Sequence, residues 1–381
     1  MLQYIIRRLV LMIPTLLGVS LLVIFFIRLL PGDAVDILIS QTEVQGMDQS
    51  FKAMVDERLV EKGFSDPGAA PREDRTAIQN ALIDEQLKKD GIDPATANPS
   101  QRQTAKSDLA RRAYGDRIRA DVGLDKNYIE QWWDWVSHAL RGDLGTTLLG
   151  GRSINDELAK RIPVSTELGI IGMLFGVIIA IPTGIVSAVK QDTWVDYVWR
   201  STAVAMLALP SFFSATIIIA LAIRWFDYSF PVFYKQFWDD PMTNLEMVIA
   251  PGFILGTVLS GSLMRLTRAQ MLEVLRQDYI RTARAKGLGA WPVTINHGVR
   301  NALIPVVTII GLQVPVLIGG SLVLEQIFGI PGVAQYLYTS ILQREYPAII
   351  AVNMIVALVI MLSNLAVDVT YAYLDPRVRL S

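Results

Sequence analysis

Residue types that ordinarily carry chemistry are scarce in this chain. It has no cysteine and only two histidines, His138 and His297. Disulfides and thiolate metal sites are therefore excluded, and two histidines argue against a histidine-based metal centre. No G-x-x-x-x-G-K-[ST] phosphate loop occurs, so nucleotide binding of that kind would have to come from elsewhere. Carboxylates are plentiful between residues 41 and 122, but their spacing implies no shared site, and a charged solvated face accounts for them. No convergent catalytic set emerges, and no substrate-binding residue can be named. One stretch does stand out, RLTRAQMLEVLRQDYIRTARAKGLGAWPVTINHGVRNALIP from Arg265 to Pro305. Its chemistry is recognition. Leu272, Leu275 and Tyr279 recur at helical spacing, Glu273 and Arg276 form an i,i+3 pair, and Gly287 through Gly289 predicts the helix end. The small residues Ala283, Ala285 and Gly287 would let another surface approach the backbone closely. Trp291-Pro292 then begins a second segment leading to Arg300, giving a helix–turn–helix able to enter a groove on a partner. The basic residues taken alone fit an ordinary connecting loop equally well.

The elements that must position this stretch are membrane spans. The chain has 381 residues, 52% of them hydrophobic, with a mean hydropathy of +0.37 and a net charge of −1. That charge points to no nucleic-acid partner. Six apolar segments are each about long enough to cross a bilayer: Leu9–Leu30, Val164–Val189, Trp199–Ile223, Met247–Met264, Leu303–Leu324 and Ala348–Tyr371. The first follows Arg7-Arg8 and mimics a secretory signal, but it has a full span's length and no small-x-small cleavage site, so it reads as a retained helix. Arg7, Arg8, Lys190, Arg200, Arg265, Arg268, Arg276, Arg281, Arg284, Lys286, Arg300, Arg377 and Arg379 all fall on one side, against Arg224, Lys235 and Arg344 on the other. The positive-inside rule then puts both termini and the Arg265–Pro305 stretch in the cytoplasm.

Between the first two spans lies a long segment, Pro31 to Arg161, external by the same count. Its part from about 41 to 122 is nearly balanced in charge. Apolar residues recur there at helical spacing in three patches, Phe51-Met54-Val55-Leu59, Ile78-Leu82-Leu87 and Leu109-Ala113-Ile118. Asp66-Pro67-Gly68, Asp93-Pro94 and Asn98-Pro99 read as turns. This composition fits a solvated helical insert, a lid or docking surface for a delivering protein, or a partly disordered segment. Trp132, Trp133 and Trp135 follow and read as interfacial anchors, with contact to a bound peptide as the other reading.

Gly172-x-x-x-Gly176 and Gly252-x-x-x-Gly256 would allow close helix packing, and Pro182, Pro210 and Pro315 lie inside spans, where each permits a kink. No span carries an ionisable residue near its centre, which shifts the energy source away from ion coupling within this chain. Glu325, just past a span, reads as a solvated end residue pairing with a neighbouring helix.

The run DYIRTARAKGL resembles the cytoplasmic coupling loop of importer permeases driven by ATP-binding cassettes, in the dipeptide/oligopeptide/nickel branch. The family's signature falls on Asp278, Tyr279, Ala283, Ala285, Lys286, Gly287 and Leu288. Where many such permeases begin the motif with Glu-Ala-Ala, this chain has Arg281-Thr282-Ala283, as the peptide branch generally does. Pro31-Gly32-Asp33, the Gly123-Leu124-Asp125 run with the tryptophans and Gly142-Asp143-Leu144-Gly145 resemble the B-type subunit's external loop. The departure is the insert, because relatives have a shorter segment there. Gly319-Gly320, Val323, Glu325, Phe328 and Pro331-Gly332, and then Asn364, Asp368, Tyr371 and Asp375-Pro376-Arg377, extend the match.

The resemblance implies an all-α membrane protein of six transmembrane helices with the type I importer permease fold and a large external helical insertion between helices 1 and 2. Three regions are expected: 1–30 with the first helix, 31–162 as the external loop, and 163–381 as a five-helix core with the coupling loop at 265–302. Its partners would be a second homologous permease, two ATP-binding cassette ATPase subunits carrying the ATP and Mg, an external substrate-binding protein, and lipid. Such a subunit is not itself an enzyme. It would import di- or oligopeptides across the bacterial inner membrane by alternating access. Nickel, oligosaccharide or another small solute is the alternative cargo, and an ion-coupled secondary transporter is the rival class.

Overall fold

The computed structural model describes residues 2–29, 44–64, 66–122, 127–148, 150–231, 233–319 and 321–374. Outside these fall Pro31-Gly32-Asp33, Gly123-Leu124-Asp125, Gly320, Asp375-Pro376-Arg377 and Arg379, all of which figured in the sequence motifs or charge count. Among the described residues the regular elements are helices. The chain divides into two compact units, Met1–Val23 with Arg152–Leu342 and Ala348–Ser381, and Ile24–Gly151 with Gln343–Pro347.

In the first unit, α1 (Leu2–Leu29) begins the chain, although its last residues fall outside this unit. Among the described residues, five helices are long and apolar enough to cross a membrane, and a bent pair makes up to six. The predicted third span, Trp199–Ile223, is that pair. It divides at Leu209-Pro210 into two helices bent by 101°. Pro210 lacks the N–H that would continue the ladder, and Leu209 before it is held extended at ψ 119°. Pro182 and Pro251, by contrast, lie inside unbroken helices of 36 and 35 residues.

Those two long helices, Ile154–Val189 and Pro241–Leu275, run well beyond their apolar stretches because they are capped outside them. Ser153 accepts from the Asp156 N–H, and Asp240 accepts from the Thr243 N–H with Pro241 at the first helical position. At 1.5 Å per residue each is about 50 Å long, against about 30 Å of hydrocarbon. Both glycine motifs meet at their crossing. A Cβ on Gly256 would stand 2.7 Å from the Gly172 carbonyl oxygen and 2.9 Å from the Gly176 nitrogen, and one on Gly252 would stand 2.5 Å from Ile171 Cγ2. The glycines thus set how closely the backbones approach.

The second unit holds Val44–Glu61, Arg72–Lys89 and Pro99–Val122, here α2, α3 and α4, and then α5 (Tyr128–Ala139). Phe51, Val55 and Leu59 of α2 pack with Ile78 and Leu82 of α3, as the helical periodicity anticipates, whereas on α4 the buried residue is Ala110, with the expected Leu109 only partly buried beside it. An internal repeat joins these helices. Asp56, Leu59, Gly63, Phe64, Asp66-Pro67 and Arg75 recur in order as Asp84, Leu87, Gly91, Ile92, Asp93-Pro94 and Arg102. Each unit ends its first helix on a left-handed glycine (φ 97° and 77°), with the next N–H returning to the Leu59 or Leu87 carbonyl. In each, an arginine eight residues after the proline donates to that proline's carbonyl and pairs with the aspartate of the preceding helix, at 3.1 and 2.9 Å.

The remaining helices belong mainly to the first unit and are numbered onward: α6 (Ile154–Val189), α7 (Trp194–Ala208), α8 (Ser211–Phe226), α9 (Pro241–Leu275), α10 (Asp278–Ala285), α11 (Arg300–Ile318), α12 (Leu322–Phe328), α13 (Val333–Leu342) and α14 (Tyr346–Leu374).

Candidate coupling element

Sequence spacing predicts one helix running through Tyr279. The chain instead turns at Arg276 and Gln277, where the N–H groups return to the Glu273 and Val274 carbonyls, and a new eight-residue helix, α10, starts at Asp278. Asp278 in its first turn and Arg284 in its last suit the helix dipole. Lys286 ends it, and Gly287 takes φ 83°, which an L side chain rarely adopts. A helical turn at Ala290–Pro292 then runs without a break into a seven-residue π-helical segment, Val293–Val299, and on into α11.

The expected docking residues do not all face outward. Ile280 is fully buried and Ala283 is buried beside it, both against Val293 of the π segment. Ala283 is therefore part of the seat that fixes α10, and its small side chain lets α10 lie close to that segment. Asp278, Ala285, Lys286, Gly287 and Leu288 are exposed. Tyr279 is about half exposed, and its hydroxyl donates to the His297 carbonyl at 3.4 Å and accepts from Asn301 Nδ2 at 3.0 Å. The Arg281–Asp278 pair, 3.4 Å apart with both partners open to solvent, adds little. The outcome is a short prong with an apolar root and an outer face of Asp278, Ala285, Lys286 and Leu288. Ile280 and Val293, which anchor it, were not singled out from sequence. Their signal is the one branched aliphatic residue of DYIRTARA and the first apolar residue after Trp291-Pro292.

Glu325 also differs from expectation. It is fully buried, not solvated. Its carboxylate accepts from Ser165 Oγ of α6 at 3.1 Å and from the Gln335 N–H of α13 at 2.7 Å, while Ser165 Oγ accepts from the Val333 N–H at 2.8 Å. Burial pushes this carboxyl above its ordinary value, against those hydrogen bonds. Gly332 leaves the space the carboxylate fills, since any side chain there would run into Glu325. The glutamate and Pro331-Gly332 thus form one fastening of α12 and α13 to α6. At the C-terminal motif, Asp368 accepts from Tyr4 Oη at 2.8 Å and pairs with Arg8 at 3.1 Å, tying α14 to α1.

No group of histidine and carboxylate side chains suited to a metal ion occurs among the described residues.

Residues 180–380 match the family model described as binding-protein-dependent transport system inner membrane component. The glutathione transport system permease protein of Escherichia coli O6:H1 is 32% identical over 382 residues, covering 100% of this chain and 99% of that protein. The dipeptide transport system permease protein of Alkalihalophilus pseudofirmus is 36% identical over 278 residues, covering 68% of this chain and 84% of that one. A solved chain of an amino acid ABC transporter overlays with a TM-score of 0.44 at 13% identity, covering 58% of this chain and 94% of the other.

Proposed function

This chain belongs to the binding-protein-dependent transport system inner membrane component family, and from that premise we propose that it is one permease half of an ATP-driven peptide importer. A peptide cargo is supported by the glutathione and dipeptide permeases to which the chain is similar over most of its length. The observation that carries the proposal is the α10 prong, with Ile280 and Ala283 seated on Val293 and Asp278, Ala285, Lys286 and Leu288 presented outward. A helix rooted in this way transmits force from a partner to the spans it joins, where a loose loop would absorb it.

In this reading two ATPase subunits receive the prong and supply the ATP and Mg, an external binding protein delivers the peptide, and a second homologous permease completes the pathway. The prong and both termini lie on the cytoplasmic side, by the distribution of Lys and Arg among the short loops. Closure of the ATPases moves α10, and the bundle passes between inward- and outward-facing states. The permease takes no part in hydrolysis.

The test is uptake of labelled di- and tripeptides by vesicles holding this chain with its co-purifying partners. Uptake requiring both ATP and an external binding protein is expected. Hydrolysis without peptide uptake would move the cargo to another solute. Transport on an ion gradient with no ATPase bound would sink the importer reading.

A further inference from the structure

The force α10 receives must cross from the prong to the spans, and one buried side-chain cluster lies where it would cross. Arg268 stands on α9 seven residues before its end at Leu275, about 10 Å up the helix axis. Its Nε and terminal NH2 donate in parallel to the two carboxylate oxygens of Asp196, at 2.8 and 2.7 Å. Asp196 is fully buried in the first turn of α7. The same carboxylate accepts from Ser187 Oγ in the last turn of α6 and from the Asp192 N–H at 3.1 Å in the turn between α6 and α7. Asp192 itself is held at φ 61°.

One carboxylate thus fastens three elements, and the packing around it leaves little slack. A Cβ on Gly184 of α6 would stand 2.7 Å from Thr267 Cβ, and one on Gly261 of α9 would stand 2.8 Å from the Ala203 carbonyl oxygen of α7. Beyond this point α7 runs to the 101° break with α8. Stability alone gives a weak reason for such a pair, because desolvating two charges roughly cancels their attraction and an apolar pair of similar size often does as well. A two-pronged hydrogen bond, however, fixes direction as well as distance, which apolar contact does not.

We propose that Asp196 and Arg268 are positioning residues for transport: the joint through which movement of the coupling helix α10, carried along α9, reaches α7 and the bent third span. This rests on the importer reading above. Neither residue touches substrate or nucleotide in that reading. The joint works by making α9 and the α6–α7 turn move as one body.

The test uses the complete complex in vesicles, comparing wild type, Arg268→Lys and the double variant Asp196→Leu/Arg268→Met, with ATP hydrolysis and peptide uptake measured on the same preparation. The double variant removes both charges, so neither is left buried alone. It is expected to assemble and hydrolyse ATP near the wild-type rate while uptake per ATP falls at least tenfold. Arg268→Lys keeps the charge but loses the fork, and an intermediate fall is expected. Wild-type uptake per ATP in the double variant overturns the joint, and so does a fall of hydrolysis and uptake in the same proportion. Should the double variant fail to assemble, Arg268→Lys decides alone, wild-type uptake per ATP again overturning the proposal. Absence of ATP-driven uptake in the wild type would instead take down the importer reading and the joint with it.

Discussion

Between α6 and α9, glycines bring one backbone onto the other. Between α2, α3 and α4, the helices are held apart by Phe51, Leu59 and Leu87 and closed by Arg75 and Arg102. The difference follows from the solvent each sequence is built for. Within a bilayer an apolar side chain gains nothing by leaving lipid for another helix, so association depends on close van der Waals approach. In water each apolar area removed contributes about 25 cal/mol per Å², so large side chains at the interface are favoured and charged ones finish the turns. The two regions should therefore fail in different ways when altered.

The largest effect is expected from Gly256→Leu. Its added atoms meet the Gly172 carbonyl and the Gly176 nitrogen, which are backbone and cannot swing aside. Overpacking typically costs about 1–3 kcal/mol and more where, as here, the atoms met are backbone, and thermal unfolding in detergent should show the first unit lost. A normal melting profile would break the comparison on the membrane side.

Leu87→Ala removes a side chain with no exposure from the second unit, and about 2–5 kcal/mol is expected. Hydrogen exchange on the whole chain should then show α3 and α4 losing protection while α6 and α9 keep theirs. Loss of protection throughout would mean that the two units share one cooperative transition.

Ala285→Arg tests the prong, adding bulk to an exposed helical position without backbone strain. Uptake should fall at least tenfold with membrane insertion intact. Gly287→Arg should abolish transport as well, but it also forces a side chain into φ 83°, so Ala285→Arg is the cleaner variant. Normal uptake in both would remove the assignment of α10.

Arg75→Gln and Arg102→Gln sharpen the repeat, each losing a partly exposed ion pair and a hydrogen bond to a proline carbonyl. About 1 kcal/mol is expected from each, and the two should be alike. A large inequality in urea unfolding would deny that the two turns are equivalent.

The smallest effect concerns pH. Because burial raises the Glu325 carboxyl above its ordinary 4.5, the fold favours the protonated form. Its contribution is fully present below pH 4.5 and is lost as pH rises through the folded value. Exchange protection of α12 and α13 should therefore decline as pH rises from 4.5, and Glu325→Gln should remove that trend. An unchanged trend in the variant would assign it to another group.

Much of this was legible in the sequence because it is local. Spans follow from apolar runs, the α2 and α3 core from helical periodicity at Phe51, Val55, Leu59, Ile78 and Leu82, and the turns from Asp-Pro pairs. The repeat was equally local and detectable, since Gly63-Phe64 and Gly91-Ile92 precede their Asp-Pro steps in the same order. The helix end at Gly287 was legible too, but not which way the residues before it face. Ala283 and Ala285 are the same residue type two positions apart, and only the seat on Val293 turns one inward.

By itself the sequence determined the helical class, the spans, the family signature and the glycines that permit close approach, since each depends on residue type and short spacing. Tertiary structure decided which glycines meet, how far the third span bends at Pro210, that Glu325 is buried, and that Asp196 finds Arg268 on another helix. These are pairings between distant positions. A carboxylate in a sequence carries no mark of the arginine that will face it, because that partner is chosen by the packing of α6, α7 and α9 as a whole.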